Sequence, residues 1–266
     1  MNYDKMVLFI SSPNSFADVF QIFLKCMRKF WPDCPYEIVL STNDQSYEGI
    51  TVYNNHLERD GWLDRAIPVL KQLTCPYVLL ICDDCLISKT VDNAKVESMV
   101  QDMMEYHLDF CGIANHVKGK PLHDGSFVDR VKKNRPYALN LLAGIYRREY
   151  LLEVLGDGSR TTWEIENQWL KEATEAKGEY FDNVVSCNED VFGCRNGILK
   201  GKWYYSVIED MNAAGVEIKT DRPVMSLKEE KQLLRRNRIG KMIPAWTRPF
   251  IKKVMKKFGR SFAADN

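Results

Sequence analysis

The 266-residue chain has no apolar run approaching the roughly 20 residues of a bilayer-spanning helix; Tyr77–Cys82 is typical of its longest. Asp4 and Lys5 precede only the short Met6–Ile10 run, too short for the apolar core of a secretory leader. No segment repeats and none is of low complexity. Histidine is scarce, and His56, His107, His116 and His123 form no H-E-x-x-H or other compact metal spacing. A G-x-S-x-G elbow, a Gly-rich phosphate loop and a dinucleotide fingerprint are all missing. Hydrolase, kinase and dehydrogenase chemistry lose their usual carriers with them.

Cysteine is present, eight times, but without a metal pattern. Cys82 and Cys85 make a lone C-x-x-C, and Cys187 and Cys194 are distant from it with six residues between them. Structural zinc needs two further ligands at short spacing. With no leader, the expected compartment is the reducing cytoplasm, where such thiols stay free as small buried apolar groups. A net charge of one sign is also lacking, at +1, but the distribution is uneven. Lys228–Arg260 holds 12 Lys/Arg against Glu229 and Glu230, or +10, while residues 1–227 carry −8. An acidic body of that sign disfavours nucleic acid as a partner.

The first half alternates strand and helix patterns. Lys5–Ser11 reads as a buried strand broken by Ser12-Pro13-Asn14-Ser15. Phe16, Val19, Phe20, Phe23, Leu24, Met27 and Phe30 then recur at helical spacing. Glu37–Ser41 and Thr51–Tyr53 read as strands, Asp64–Leu73 as a helix, and Tyr77–Cys82 as a strand ended by Asp83-Asp84. A helix over Val91–Tyr106, with Thr90 as its expected N-cap, precedes a strand over Phe110–Ala114. This order predicts an α/β fold whose mainly parallel sheet is flanked by helices on both faces. The second half is expected to hold a strand near Ala138–Ile145 and helices near Arg147–Leu155, Glu164–Ala176 and Trp203–Ala214.

In parallel sheets, ligands sit outside the carboxyl ends of the strands. That edge gathers Ser11–Asn14, Ser41–Asp44 and Asp83-Asp84. Hard cations bind through one or two carboxylates plus phosphate oxygens, and adjacent acids repel unless a cation joins them. The pair therefore reads as a candidate Mg²⁺ or Mn²⁺ site, against the plainer alternative of a turn that caps the next element.

Gly61-Trp62-Leu63-Asp64-Arg65-Ala66, followed by Pro76–Cys85, resembles the centre of metal-dependent glycosyltransferases of the GT-A fold, of the bacterial surface-polysaccharide type. Ala143–Leu152 resembles an acceptor-side segment of that group, Trp163-Glu164-Ile165-Glu166 its Trp–x–x–Glu element, and Asn196–Trp203 a later segment. The likeness spans roughly residues 5–210, with one departure: the usual D-x-D is Asp83-Asp84-Cys85 here.

The resemblance implies a GT-A-like, Rossmann-type enzyme that moves a sugar from a nucleotide-diphosphate donor, a UDP-sugar first among them, to a glycan or lipid-linked acceptor. Asp83 or Asp84 would hold the divalent metal, Mn²⁺ or Mg²⁺. Arg65 would meet the diphosphate or orient the acids, with an ordinary ion pair as its alternative. Lys200 and Lys202 would close over the diphosphate, or remain solvated lysines. Ser11, Ser12, Asn14, Thr42, Asn43 and Asp44 would contact the nucleoside. Transfer with inversion needs a carboxylate base. Glu164 and Glu166 point nearly opposite ways on a helix; Glu166 matches the Trp–x–x–Glu element and is the expected base, with Glu164 in reserve.

Residues 1–225 are expected to form the catalytic domain, donor part about 1–115 and acceptor part about 116–225, and 226–266 a basic helical tail. In Pro249–Arg260, Phe250, Ile251, Val254, Met255 and Phe258 share one face opposite Lys252, Lys253, Lys256 and Lys257. Such a helix suits an anionic membrane surface, here the inner face of the cell membrane, or alternatively packs on the acidic body. A sugar nucleotidyltransferase and a non-catalytic membrane-surface adaptor are the rival readings. The first would carry a Gly-rich basic loop after its first strand, which Ser11–Asp18 lacks.

Overall fold

The structure is a computed structural model that describes residues 5–56, 61–114, 119–133, 135, 138–175 and 177–242. Met6–Ser11 forms strand β1, with every residue buried. Helix α1 follows at Ala17–Phe30, and its apolar face buries eight residues from Val19 to Phe30. Each such side chain stabilises the fold by about 1.5–3 kcal/mol on burial. Next come β2 (Glu37–Thr42), β3 (Thr51–Asn54), α2 (Trp62–Gln72) and β4 (Tyr77–Ile81). The two-residue strand β5 (Cys85–Leu86) leads to α3 (Asn93–Glu105) and β6 (Phe110–Gly112). Helix α3 is capped by Asp92, whose carboxylate accepts from the backbone of Ala94 and Lys95, two residues beyond the expected Thr90.

The second half adds β7 (Lys120–Pro121), β8 (Val128–Lys132), β9 (Ala143–Arg147), α4 (Arg148–Leu155) and α5 (Thr162–Glu175). Then follow β10 (Tyr180–Cys187), β11 (Arg195–Asn196), β12 (Ile198–Leu199), β13 (Lys202–Trp203), α6 (Tyr205–Ala213) and α7 (Leu227–Met242). Nine strands form one sheet in the order β3-β2-β1-β4-β9-β6-β10-β8-β7. Strands β3, β2, β1 and β4 run parallel, as does β6 with β10. β9 lies antiparallel between β4 and β6, and β8 and β7 continue antiparallel beyond β10.

Two apolar layers clasp this sheet. Met6, Leu8 and Ile10 of β1 pack with α1, α3 and α6, while Val7 and Phe9 face the layer containing α2, α4 and α5. Period-2 alternation divides one continuous apolar strand between both layers. Gly144 of β9 is required where that strand crosses the middle: a Cβ there would lie 2.2 Å from the Phe110 ring and 3.0 Å from the Cys111 carbonyl.

The expected α/β architecture is present. The long β10 and its partner β8 were not anticipated. Polar Asp182 and Asn183 interrupt the β10 pattern, and its register with β8 shifts between Tyr180 and Val185, which blurs the alternation. No helix among the described residues is long and apolar enough to cross a membrane. The anticipated amphipathic stretch Pro249–Arg260 lies outside the described residues.

A polar cluster ties the β7–β8 connection to α3. Buried Asp102 accepts from Ser126 Oγ (2.7 Å) and faces His123 Nε2 at 2.8 Å, while His123 Nδ1 faces the Asp124 carbonyl at 2.9 Å. Both ring nitrogens meet acceptors, so only the doubly protonated ring satisfies both. The Asp102 hydrogen bond, then the Asp124 carbonyl, raises His123 above its ordinary 6.5. A raised imidazole stabilises the fold fully below 6.5 and loses that contribution as pH rises through the folded value. Thermal melts from pH 5.5 to 9 should therefore show a decline in Tm across that window. The decline should flatten in His123→Gln; an unchanged profile in the variant would remove the assignment.

Candidate functional site

The carboxyl end of β4 delivers two acids into a desolvated corner. Asp83 is 7% exposed and accepts a 2.5 Å hydrogen bond from Ser12 Oγ at the end of β1. Burial pushes its carboxyl from 3.8 to about 7, with Ser12 opposing the rise, Asp84 adding to it and Arg65 opposing it. A rise of that size disfavours the ionised form by on the order of 4 kcal/mol, more than the roughly 1 kcal/mol net of an ordinary hydrogen bond. Burial likewise lifts Asp84 from 3.8 to about 6. The pair is thus costly to ionise without a cation and fits a divalent ion: two hard oxygen donors at a sheet edge where phosphate oxygens could complete the shell. No group of three or more His, Cys, Asp or Glu side chains positioned for a metal occurs among the described residues.

Arg65 lies behind them. It sits in the first turn of α2, where the Asp64 carboxylate accepts from the Gly61 N–H and fixes the helix start. Its Nε donates to Ser11 Oγ (3.2 Å), and its carbonyl accepts from Ser41 Oγ (2.8 Å). Burial lowers the guanidinium pKa, and the charge of Asp83 opposes that fall. Arg65 therefore links the ends of β1, β2 and β4.

The polar ends of β1 and β2 adjoin. Ser11 pairs with Ser41 in register, and the Ser12 N–H donates to the Ser41 carbonyl at 3.0 Å. Asn14 N–H donates to Asn43 Oδ1 (3.0 Å), and Asn14 Nδ2 donates to Asp44. Thr42 Oγ1 is buried without a hydrogen-bond partner among the described residues. The anticipated residues thus lie together at the adjoining ends of β1 and β2, with Ser12 contacting Asp83 and Thr42 buried behind them.

Glu166, on α5, is tied to the loop before β9. Its Oε1 accepts from the Leu141 N–H (2.7 Å), in a loop shaped by Asn140 Oδ1, which accepts from Leu142 and Ala143 N–H at 3.2 and 3.1 Å. The Leu142 carbonyl accepts from the Cys82 N–H at 2.8 Å. Cys82 and Glu166 are therefore tied to the same short loop. The Cys82 thiol is raised by burial and then by the charges of Asp84, Asp83 and Glu166. Burial also raises Glu166 itself, against the Leu141 hydrogen bond. Glu164, by contrast, is exposed and caps α5: its Oε2 accepts from Thr161 N–H (2.8 Å) and Oγ1 (2.9 Å). Thr161 and Glu164 make a capping box. Trp163 stands 58% exposed one turn before Glu166.

The segment carrying Lys200 and Lys202 closes the Asp84 side. β11 pairs with β5, and the Gly197 N–H donates to the Asp84 carbonyl at 2.7 Å. Lys200 and Gly201 adopt φ +53° and +74° in the two-residue turn between β12 and β13, the geometry of a tight hairpin. Lys200 is exposed, and Lys202 pairs with Glu229 at 3.3 Å.

The sequence reading missed Arg222. Its Nε and Nη2 donate to Asp18 at 2.6 and 2.7 Å, and the guanidinium lies 4.4 Å from the centre of the Phe16 ring. A basic residue 204 positions from its partner leaves no local pattern to read.

No known protein-family model matches the sequence, and no curated protein matches it. Among solved structures, residues 1–349 of TarS from S. aureus, in complex with UDP-GlcNAc, is similar at 15% identity and TM-score 0.44. That match covers 71% of this chain and 57% of that one. The mannosyltransferase PcManGT from Pyrobaculum calidifontis, in complex with GDP-Man and Mn²⁺, has 12% identity and TM-score 0.46, covering 81% and 65%. A cytidylyltransferase from Leptospira borgpetersenii has 13% identity and TM-score 0.42, covering 81% and 98%. The chain thus spans less than two thirds of the length of either transferase structure.

Proposed function

We propose that the protein is a GT-A-like glycosyltransferase that moves a sugar from a nucleotide-diphosphate donor, first a UDP-sugar, to a glycan acceptor. The observation that carries this reading is that Glu166 is tied through the Leu141–Leu142 loop to Cys82, the residue before Asp83 and Asp84, while Ser12 at the end of β1 donates to Asp83. Ser11, Ser12, Asn14, Thr42, Asn43 and Asp44 hold the nucleoside. Asp83 and Asp84 would hold Mn²⁺ or Mg²⁺, which when bound supplies positive charge to the departing diphosphate. Arg65 keeps the strand ends and Asp83 in register, and Lys200 and Lys202 cover the diphosphate from the hairpin. Glu166, made more basic by burial, accepts the proton of the attacking acceptor hydroxyl, which favours inversion. The donor part is about residues 1–115 and the acceptor part about 116–225.

The acceptor of this reading is lipid-linked, in capsule or O-antigen-type polysaccharide assembly, and the enzyme works on the cytoplasmic face of the membrane. Helix α7 supports that placement. Buried Glu230 docks its start by accepting from the Ser206 backbone (3.0 Å) and hydroxyl. Beyond it, Lys231, Leu234, Arg235 and Arg236 are exposed, Leu234 by 57%. Cations beside an exposed apolar side chain suit an anionic bilayer.

Calorimetry with UDP, CDP and GDP should detect Mn²⁺-dependent binding that Asp83→Asn with Asp84→Asn abolishes; undiminished binding in that variant would sink the transferase reading. Glu166→Gln should keep nucleotide affinity and lose about 100-fold or more in transfer. Glu164→Gln should chiefly lower Tm by loosening the first turn of α5, and a loss of transfer there alone would reverse the assignment. A chain ending at Ser226 should leave vesicles containing phosphatidylglycerol that the full chain binds; equal binding by both would discard the membrane role of α7 and the residues beyond it.

A further inference from the structure

After α6 the chain runs from Val216 to Ser226 and returns to the mouth of the site. β13 holds this segment: the Trp203 N–H donates to the Pro223 carbonyl (2.9 Å), the Met225 N–H donates to the Trp203 carbonyl (2.8 Å), and Trp203 Nε1 donates to Thr220 Oγ1 (3.1 Å). β13 continues the hairpin that begins at Gly197, whose N–H bonds the Asp84 carbonyl. At its other end the segment meets the turn after β1, where Arg222 engages Ser15, Phe16 and Asp18. One short stretch therefore spans both sides of the corner that holds Asp83 and Asp84.

Arg222 is held more firmly than a strap needs. Asp18 takes Nε and Nη2, the Ser15 carbonyl takes the second Nη2 hydrogen, and the Phe16 ring supports the plane. Nη1, with two donors, has no partner among the described residues. The side chain is 20% exposed. Asp83 lies close enough for its charge to stabilise the Arg222 cation, after the larger effect of Asp18. Anionic phosphates entering beside two carboxylates need cations at the rim, and a pre-oriented planar guanidinium matches phosphate oxygens in two-point contacts.

We propose that Arg222, delivered by the C-terminal segment and oriented by Asp18 and Phe16, is a ligand of the donor's diphosphate. This inference rests on the nucleotide-sugar reading above. It assigns Nη1 to the phosphate oxygens while Asp18 keeps Nε and Nη2. The site is thereby completed by a residue far along the chain from the strands that build it.

Calorimetry of the full chain with Mn²⁺ would compare UDP, CDP and GDP with the matching monophosphates. The wild type should prefer the diphosphate of at least one base. Arg222→Gln should weaken that diphosphate about 10-fold or more, as expected for losing a charged hydrogen bond, with a much smaller loss for the monophosphate. Arg222→Lys should recover part of the preference. Asp18→Asn removes the ion pair while keeping the guanidinium, and should retain the preference. Equal losses for diphosphate and monophosphate in Arg222→Gln, or matching losses in Asp18→Asn and Arg222→Gln, would overturn the assignment and leave Arg222 a staple. A wild type that binds none of the three diphosphates would bring down the transferase reading and this inference with it.

Discussion

The structure turns on the cost of holding Asp83 at the buried end of β4. A carboxylate 7% exposed persists only because its surroundings hold it: Ser12 donates to it, and Arg65 lends its charge from α2. Both partners are fixed by elements secured independently of Asp83. Ser12 follows a strand packed on both faces, and Arg65 begins a helix whose first turn is secured by Asp64. The sheet's apolar bulk thus makes a polar corner possible. The corner in turn favours a cation, because protein hydrogen bonds alone do not balance the desolvation.

Assembly around that corner is convergent. The β1 and β2 loops arrive in parallel register, Glu166 arrives through a backbone bond to Leu141, and the β11–β13 segment arrives through a backbone bond to Asp84. Backbone contacts recur because they fix position without specifying a side chain. The groups left for chemistry are the ones whose environment sets their protonation: Asp83, Asp84 and Glu166, each raised by burial. Glu164, two residues from Glu166, is exposed, and Thr161 lowers its pKa by donating its N–H and hydroxyl to the carboxylate. Two acids two positions apart on one helix are thereby given opposite pKa shifts, one by capping hydrogen bonds and one by burial.

What was legible in the sequence follows the range of the forces involved. α1 and β4 could be read because burial imposes a period on neighbouring residues, and the Asp83-Asp84 corner could be read because it ends such a run. Thr90 lost the cap of α3 to Asp92, since hydroxyl and carboxylate caps two residues apart give similar signals. β10 was obscured by Asp182 and Asn183; Asn183 donates to buried Asp109, a reason for its polarity that lies in a distant element. Arg222 and Ser12 take their meaning from partners far along the chain, which no local pattern encodes.

The antiparallel strand at the middle of the sheet also sets the order in which the molecule can be built. β4 and β6 are separated by β9, and the sheet neighbours of β6 are β9 and β10. When the ribosome has delivered β6, therefore, neither strand that will flank it has been made. The β3-β2-β1-β4 half can close early, but its β4 edge must wait for Ala143–Arg147. Long loops must close before this pairing returns any energy. The loop that seats Glu166 precedes β9 directly, and Glu166 itself lies on α5, so its bond to Leu141 waits until both β9 and α5 have been made.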